Sequence, residues 1–197
     1  MTDDRNIVHV AIFASGAGSN AQKIIDYFRG SNFIKIALIL SNKPEAGVLN
    51  IAEKENIPSI LIDREIFFNG DAYIDVLKKN GIEFIVLAGF LWKIPLALIH
   101  AFPNKIINIH PALLPKHGGK NMYGRKVHEA VIASGSRESG ITIHYVDEHY
   151  DNGDIIFQAK CSVDENETVE TLTSKIHSLE YKNYPVIIEE LIKKNFK

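Results

Sequence analysis

Residues 7–20 read IVHVAIFASGAGSN, and this stretch decides the fold. Its first eight residues are mostly apolar and rich in β-branched side chains, which is typical of a buried strand. A glycine-rich turn follows, and then Ile24, Ile25, Tyr27 and Phe28 recur at the spacing of an amphipathic helix. The stretch therefore predicts a strand, a tight turn and a helix, which together begin a βαβ unit.

Strands and helices continue to alternate after this first unit. Further strands are predicted over residues 34–40, 59–62, 84–88 and 106–109, and helices over 46–55, 71–79 and 95–99. Such alternation indicates right-handed βαβ units and a parallel, doubly wound sheet. After an irregular loop over 111–124, the pattern predicts a helix over 126–134, a strand hairpin over 141–146 and 155–160, and a helix over 168–191 that is broken or kinked near Pro185. The expected fold is α/β and Rossmann-like, a doubly wound, mostly parallel sheet with a C-terminal antiparallel hairpin and a long final helix.

Composition limits the classes of function. The chain has 197 residues, 46% of them hydrophobic, and its 22 Lys and Arg nearly balance its 24 Asp and Glu, which favours one domain over 1–197 and argues against charge-driven nucleic-acid binding. No apolar run approaches the ~18 residues of a membrane helix, and the polar start at residues 1–6 is unlike a signal peptide. The one cysteine, Cys161, excludes an internal disulfide and a cysteine metal cluster, so we expect a cytoplasmic protein with Cys161 as a small buried side chain.

The glycine-rich turn can be interpreted as a dinucleotide site, as a phosphate site or as a turn that binds no ligand. Residues 16–21 fit the dinucleotide pattern G-x-G-x-x-[GA], but that pattern needs an acidic residue at the end of the second strand, where residues 40–43 read LSNK. The better interpretation is a phosphate monoester bound by the backbone N–H groups of Gly18, Ser19 and Asn20 at a helix N-terminus. A tight turn that binds nothing remains the alternative.

Asn108 and His110 stand at the end of a predicted strand. The two-residue period of a strand places both side chains on one face, with Ile109 on the other. Ligands of open α/β sheets bind outside the carboxyl ends of the strands, where an amide can donate to an oxyanion and an imidazole can transfer protons. A histidine at a strand end is by itself more often structural than catalytic.

The predicted hairpin turn over 147–154 is rich in acidic and polar residues. Such a turn is usually a solvated surface loop. Metal ligation by His144, Asp147 and His149 is conceivable, but His144 is inside a strand and the spacing matches no standard site. We therefore expect no metal.

Five motifs occur in a characteristic order along the chain. They are FASGAGSN at 13–20, VLAGF at 86–90, INIHPALLP at 107–115, GITIH at 140–144 and DNGDII at 151–156. Together they resemble the phosphoribosylglycinamide formyltransferases, which are 10-formyltetrahydrofolate-dependent enzymes of purine biosynthesis, over essentially the whole chain. The N-x-H-P-x-L-L-P block is shared with related formyltransferases and hydrolases, whereas the S-G-x-G-S-N loop narrows the match to enzymes that act on glycinamide ribonucleotide.

The resemblance implies roles for individual residues. The catalytic group falls on Asn108, His110 and Asp151, with Asn108 and a protonated His110 holding the oxyanion and Asp151 favouring the charged imidazole. Other implied positions are the phosphate loop at Gly18, Ser19 and Asn20, the nucleotide contact Glu180, the supporting hydroxyl of Thr142, and a folate pocket formed by Leu91, Trp92, Lys93, Ile94, Asp147, Glu148, His149 and Tyr150. Residues 1–105 form the nucleotide-binding half, and residues 106–197 the catalytic and folate-binding half.

The resemblance also implies the two substrates, and it leaves three alternative functions open. The substrates are glycinamide ribonucleotide and the cosubstrate 10-formyltetrahydrofolate, with no metal, nucleic acid or membrane, in a monomer or homodimer. Two features depart from many relatives, namely a longer loop over 116–124 and Trp92-Lys93 in place of an arginine-containing segment. The alternatives are a formyltetrahydrofolate hydrolase, a methionyl-tRNA-type formyltransferase (which normally adds a C-terminal RNA-binding domain) and a nucleotide-binding module without activity.

Overall fold

The computed structural model describes residues 7–69 and 71–196, so the polar segment at 1–6 lies outside the described residues. The strands are β1 (Val8–Phe13), β2 (Ile34–Ser41), β3 (Ser59–Leu61), β4 (Ile82–Leu87), β5 (Ile106–His110), β6 (Glu138–Tyr145) and β7 (Ile155–Ser162). The helices are α1 (Ser19–Phe28), α2 (Gly47–Lys54), α3 (Arg64–Asn69), α4 (Ala72–Lys79), α5 (Leu96–Ala101), α6 (Arg125–Ala133) and α7 (Val169–Asn195).

One seven-stranded sheet organises the described residues. Its strand order is β3-β2-β1-β4-β5-β6-β7, with the first five strands parallel and β6 antiparallel to both β5 and β7. The order reverses between β1 and β4, and such a reversal opens a crevice at the carboxyl ends of the strands. The expected doubly wound, mostly parallel sheet with an antiparallel hairpin is confirmed.

Helices cover the sheet on both faces. One hydrophobic cluster joins the strands to α1, α2, α6 and α7, and a second joins the opposite face to α3, α4 and α5. Strands buried on both faces need apolar side chains at successive positions, which explains why β1, β2 and β4 are apolar at nearly every position after their second residue. No helix within residues 7–69 and 71–196 is long and apolar enough to cross a membrane.

The long final helix differs from its prediction. The sequence predicts a break or a kink near Pro185. Helix α7 continues through this residue as one 27-residue helix, so a break is wrong, whereas a kink stays a prediction. Pro185 is buried, and its neighbours Tyr184, Ile187 and Ile188 belong to the hydrophobic cluster on this face of the sheet. Packing therefore compensates for the hydrogen bond that a proline cannot donate.

The short helix α3 was missed by the sequence pattern. It has only six residues, too few for helical periodicity to be recognised. Asp63 begins it, because its side chain accepts a hydrogen bond from Ile66 N at 3.0 Å and its carbonyl accepts one from Phe67 N at 3.0 Å. Phe67 anchors the helix in the hydrophobic cluster on that face of the sheet.

Candidate active site

A cleft of about 560 Å³ opens at the carboxyl ends of β1, β4 and β5. It brings together residues from loops that are far apart in sequence. The predicted site residues that line it are Gly18, Ser19, Asn20, Leu91, Trp92, Lys93, Ile94, Asn108, His110, Asp147, His149, Tyr150, Asp151 and Glu180. Among the predicted positions, Thr142 and Glu148 do not line the cleft. Part of the loop over 111–124 also contributes to the wall, from Gly119 to Gly124.

The glycine-rich turn forms one end of the cleft. Gly18 has φ +82° and directly precedes α1, and a Cβ at this position would lie 2.9 Å from Val48 Cα. Both the left-handed backbone and the lack of space require glycine here. The first N–H groups of α1, at Ser19 and Asn20, have no acceptor within the helix and carry its positive dipole end. This end of the cleft can therefore bind an anion.

Asn108, His110 and Asp151 converge at the centre of the cleft. Asn108 and His110 lie on β5, and Asp151 comes from the β6–β7 turn with φ +53°. His110 Nδ1 lies 3.4 Å from Asp151 Oδ2, and Asn108 Nδ2 lies 3.5 Å from Asp151 Oδ1. The structure thus places an amide, an imidazole and a carboxylate next to one another.

Burial and the neighbouring groups set the charge state of this triad of residues. Burial raises the pKa of Asp151, but His144 and His110, which are both protonated at the low pH where Asp151 titrates, and the Gly119 N–H together lower it below its ordinary value. Burial lowers the pKa of His110, and Asp151 and the His117 carbonyl offset this only in part. Asp151 is therefore ionised at neutral pH, whereas His110 is mostly neutral in the free protein.

His144 is a member of this cluster that the sequence interpretation did not include. Its Nδ1 lies 2.8 Å from the Tyr145 carbonyl oxygen, which can only accept, so Nδ1 carries the proton and Nε2 accepts from Asn108 Nδ2 at 3.0 Å. This bond determines which way the Asn108 amide faces. From the sequence, His144 is a conceivable metal ligand. In the described part of the chain, no group of three or more His, Cys, Asp or Glu side chains could hold a metal ion.

Thr142 supports the loop that follows β5. Its hydroxyl donates to the Ala112 carbonyl at 2.7 Å and accepts from Leu114 N at 2.9 Å and from Gln158 Nε2 at 2.9 Å. The residue is fully buried, between the sheet and the loop. Thr142 therefore fixes the path of the chain after His110 and does not itself face the cleft.

Glu180 lies beside the phosphate loop. It is 5% exposed, and one of its carboxyl oxygens accepts a hydrogen bond from Asn20 Nδ2 at 2.9 Å. Burial raises its pKa to about 7, so that it is partly protonated at neutral pH. His128 and His177 line the same cleft and were not predicted; burial lowers the pKa of His128 to about 4. No sequence motif singles out His128 or His177, because each lies on the inner face of a helix that contains no recognisable motif.

An aromatic group forms the wall around Trp92. The Trp92 ring lies 5.5–6.3 Å from the rings of Phe67, Phe68 and Phe90. The Arg64 guanidinium lies 6.0 Å from both the Phe68 and the Trp92 ring centroids. This wall can contact a flat, aromatic ligand at the end of the cleft that carries the segment 91–94.

Comparison with known proteins finds relatives over most of the chain. A family model described as formyl transferase matches residues 8–188. The phosphoribosylglycinamide formyltransferase of Bacillus subtilis is 39% identical over 187 residues, which cover 92% of this chain and 93% of that protein. The chloroplastic phosphoribosylglycinamide formyltransferases of Arabidopsis thaliana and Vigna unguiculata are 40% and 43% identical over 95% and 92% of this chain, which spans only 66% and 60% of their lengths.

Solved structures agree with the sequence relatives. The crystal structure of phosphoribosylglycinamide formyltransferase from Bacillus halodurans matches with a TM-score of 0.85 and 36% identity, covering 94% of this chain and 96% of that chain. The corresponding enzyme from Anaplasma phagocytophilum matches with a TM-score of 0.87 and 31% identity, covering 98% and 90%. Because the family model spans most of the chain and solved relatives share its fold, this chain belongs to the formyl transferase family.

Proposed function

We propose that this chain transfers the formyl group of 10-formyltetrahydrofolate to the amine of glycinamide ribonucleotide, a step of de novo purine biosynthesis. The observation that carries the proposal is the convergence of Asn108, His110 and Asp151 in a cleft that also contains the N-terminus of α1, whose N–H groups can bind an anion. The names of the relatives support the same reaction.

The nucleotide fits the end of the cleft at the glycine-rich turn. The N–H groups of Gly18, Ser19 and Asn20 bind its phosphate, and the buried carboxyl of Glu180 beside Asn20 is placed to accept hydrogen bonds from ribose hydroxyls. The phosphate is distant from the amine within the nucleotide. Binding it orients the nucleophile without any contact at the reacting atoms.

The cosubstrate fits the other end of the cleft. The segment Leu91–Ile94 and the turn residues Asp147, His149 and Tyr150 line it, and the volume of about 560 Å³ lies in the ordinary range for small-molecule sites. The aromatic Trp92 provides a flat surface suited to a pterin or an aminobenzoyl ring. When bound, 10-formyltetrahydrofolate supplies the activated formyl carbon.

At the centre of the cleft, Asn108, His110 and Asp151 stabilise negative charge and transfer one proton. A neutral amine is already a nucleophile, so the barrier depends on stabilising negative charge at the formyl oxygen and on moving one proton. Asn108 donates its Nδ2–H to that oxygen, as an oxyanion-hole donor. Neutral His110 accepts the amine proton, and Asp151 stabilises the imidazolium that forms before the proton passes to the leaving nitrogen.

The two halves of the chain divide the work within this proposal. Residues 1–105 bind the nucleotide through the first βα unit, and residues 106–197 carry the catalytic residues and part of the folate site. The division is not strict, because Glu180 lies at the phosphate end and Leu91–Ile94 at the folate end. We also propose a cytoplasmic enzyme that is a monomer or a homodimer and acts on small molecules.

One assay tests the reaction. Purified protein is incubated with 10-formyltetrahydrofolate, with and without glycinamide ribonucleotide, while formylated nucleotide and free formate are both measured. We expect formylated nucleotide only when the nucleotide is present, with little formate. Formate released equally in both reactions would instead indicate a hydrolase. Formylation of charged initiator tRNA, supplied in a third reaction in place of the nucleotide, would indicate a tRNA-type enzyme. No turnover of either kind would leave a binding module and refute the proposal.

A further inference from the structure

The turn His117-Gly118-Gly119 contacts both titrating members of the site through its backbone. His110 Nε2 lies 2.8 Å from the His117 carbonyl oxygen. Gly119 N donates to Asp151 Oδ2 at 2.9 Å. Two successive peptide groups of one loop thus hold the imidazole from one side and the carboxylate from the other.

The conformation of this turn is one that few sequences can adopt. His117 has φ +55° and Gly119 has φ +97°. A Cβ at Gly118 would overlap Leu114 Cδ2 and lie 3.3 Å from Asp151 Cβ. Residues with side chains are disfavoured at positive φ, and Gly118 has no room for one, so the turn requires its two glycines.

The contact with His117 determines where the proton of a neutral His110 resides. A carbonyl oxygen only accepts hydrogen bonds, so Nε2 must carry the hydrogen that points at it. Because Nε2 keeps its hydrogen on this carbonyl, the proton that the ring gains and loses is the one on Nδ1. Nδ1 lies 3.4 Å from Asp151 Oδ2, and Asn108 Nδ2 lies 3.5 Å from the other oxygen of the same carboxylate.

From this geometry we infer that the backbone of residues 117–119 is a positioning device that fixes the Nε2–H tautomer of His110, so that His110 exchanges protons with the substrates through Nδ1. The inference rests on the proposed function only in taking His110 as the proton carrier. His117 and Gly119 are positioning residues in this account, and the His117 side chain has no part in it.

The proton balance of the transfer follows from this assignment. As the amine nitrogen forms its bond to the formyl carbon, its proton moves to His110 Nδ1, and the ring becomes an imidazolium held between Asp151 Oδ2 and the His117 carbonyl. As the bond between the formyl carbon and the folate nitrogen breaks, the same proton moves from Nδ1 to that nitrogen. Asp151 remains ionised throughout, and its contact with Gly119 N keeps it in reach of Nδ1.

The direct test is the tautomer of His110 in the full chain without substrates. Long-range ¹H–¹⁵N correlation spectra of uniformly ¹⁵N-labelled protein distinguish a protonated Nε2 from a protonated Nδ1, and the spectrum of His110→Gln identifies the His110 signals. We expect one neutral tautomer with the proton on Nε2 at pH above neutrality. A proton on Nδ1, or an equal mixture of the two, would overturn the inference whether or not the protein transfers formyl groups.

Variants of the turn at residues 117–119 test whether its backbone fixes the tautomer of His110. In His117→Gly the carbonyl is retained and positive φ is easier, so the Nε2–H tautomer should persist. In His117→Pro the ring fixes φ near −65° and turns the carbonyl away, so we expect loss of the single tautomer and about a tenfold fall in kcat with little change in KM. Lys116→Ala, on the neighbouring exposed side chain, should retain the parental kcat.

If His117→Pro does not fold, as judged by circular dichroism, Gly118→Ala replaces it, because its Cβ displaces the turn from Leu114 and Asp151. The same loss of a single tautomer is then expected. A folded turn variant that keeps both the Nε2–H tautomer and the parental kcat would refute the role of the turn. A protein that shows the expected tautomers but forms no formylated nucleotide would refute the proposed function and leave this inference standing.

Discussion

Replacement of Glu180 by glutamine should change how stability depends on pH. Glu180 is a buried carboxyl whose pKa is raised to about 7 from an ordinary value of 4.5. In the unfolded chain the group loses its proton near pH 4.5, whereas in the folded protein it keeps the proton until about pH 7. The unfolded state therefore binds fewer protons between these values, and stability falls as pH rises through this window.

The pKa difference sets the size of the effect. The gap between 4.5 and about 7 corresponds to about 3 kcal/mol of unfolding free energy, present at pH 4 and lost by pH 8. Glu180→Gln keeps the shape of the side chain and an oxygen that can accept from Asn20 Nδ2, but it cannot ionise. The variant should therefore match the parent near pH 4.5 and exceed its stability by about 3 kcal/mol at pH 8.

Urea unfolding at pH 4.5 and at pH 8, followed by circular dichroism, measures this difference. Comparing variant with parent at each pH cancels the contributions of all other titrating groups. Glu190→Gln, which alters an exposed carboxyl on the same helix, is the matched control and should show no such change. An equal stability difference at the two pH values would refute the burial of an ionisable group at this position. The gain in stability should accompany weaker binding of glycinamide ribonucleotide, as expected where a functional group is kept at the expense of stability.

Three further predictions concern separate parts of the site. Ser19→Asp should weaken the affinity for glycinamide ribonucleotide, measured by calorimetry, at least tenfold without lowering Tm, because a carboxylate repels phosphate but stabilises a helix N-terminus. An unchanged affinity would refute the anion site. Thr142→Val leaves Leu114 N without its partner and should lower the unfolding free energy by about 1–3 kcal/mol in urea titrations, whereas full stability would show that the hydroxyl does not hold the loop. His144→Phe frees the Asn108 amide to rotate and should lower kcat about tenfold with KM for the nucleotide little changed, and parental kinetics would count against its orienting role.

Local sequence patterns were sufficient for much of the sheet. The apolar runs of β1, β2 and β4 are recognisable because strands buried on both faces need apolar residues at nearly every position. The face shared by Asn108 and His110 also follows from the two-residue period of β5. The structure agrees, since Ile109 packs into the cluster on the opposite face.

Features that depend on packing between distant segments could not be predicted in this way. The pairing of Asn108 with His144 follows from the register between β5 and β6, which no local pattern specifies. The approach of Asp151 to His110 depends on the path of the β6–β7 turn, and it was expected only through the family resemblance. The lowered pKa of His110 depends on its burial in the folded protein, which no local pattern specifies.

The continuity of α7 illustrates the same limit at the level of secondary structure. A proline inside a helix costs roughly 3 kcal/mol in isolation, which is why the sequence predicts a break or a kink at Pro185. In the folded protein the Tyr184 hydroxyl donates to the Leu87 carbonyl at 2.9 Å, and the same face of the helix is buried against the sheet. Tertiary contacts thus outweigh the local preference.

The central claim is that Asp151 acts on the proton transfer and not on binding, and single-turnover kinetics test it most directly. With enzyme in excess over both substrates, Asp151→Asn should lower the rate of formyl transfer about 10²–10⁴-fold while the calorimetric affinities for both substrates change less than about threefold. The control Asp154→Asn, an exposed carboxylate of the same turn that does not line the cleft, should transfer at the parental rate. A parental rate in Asp151→Asn, or a loss of affinity large enough to account for its slower turnover, would contradict the account.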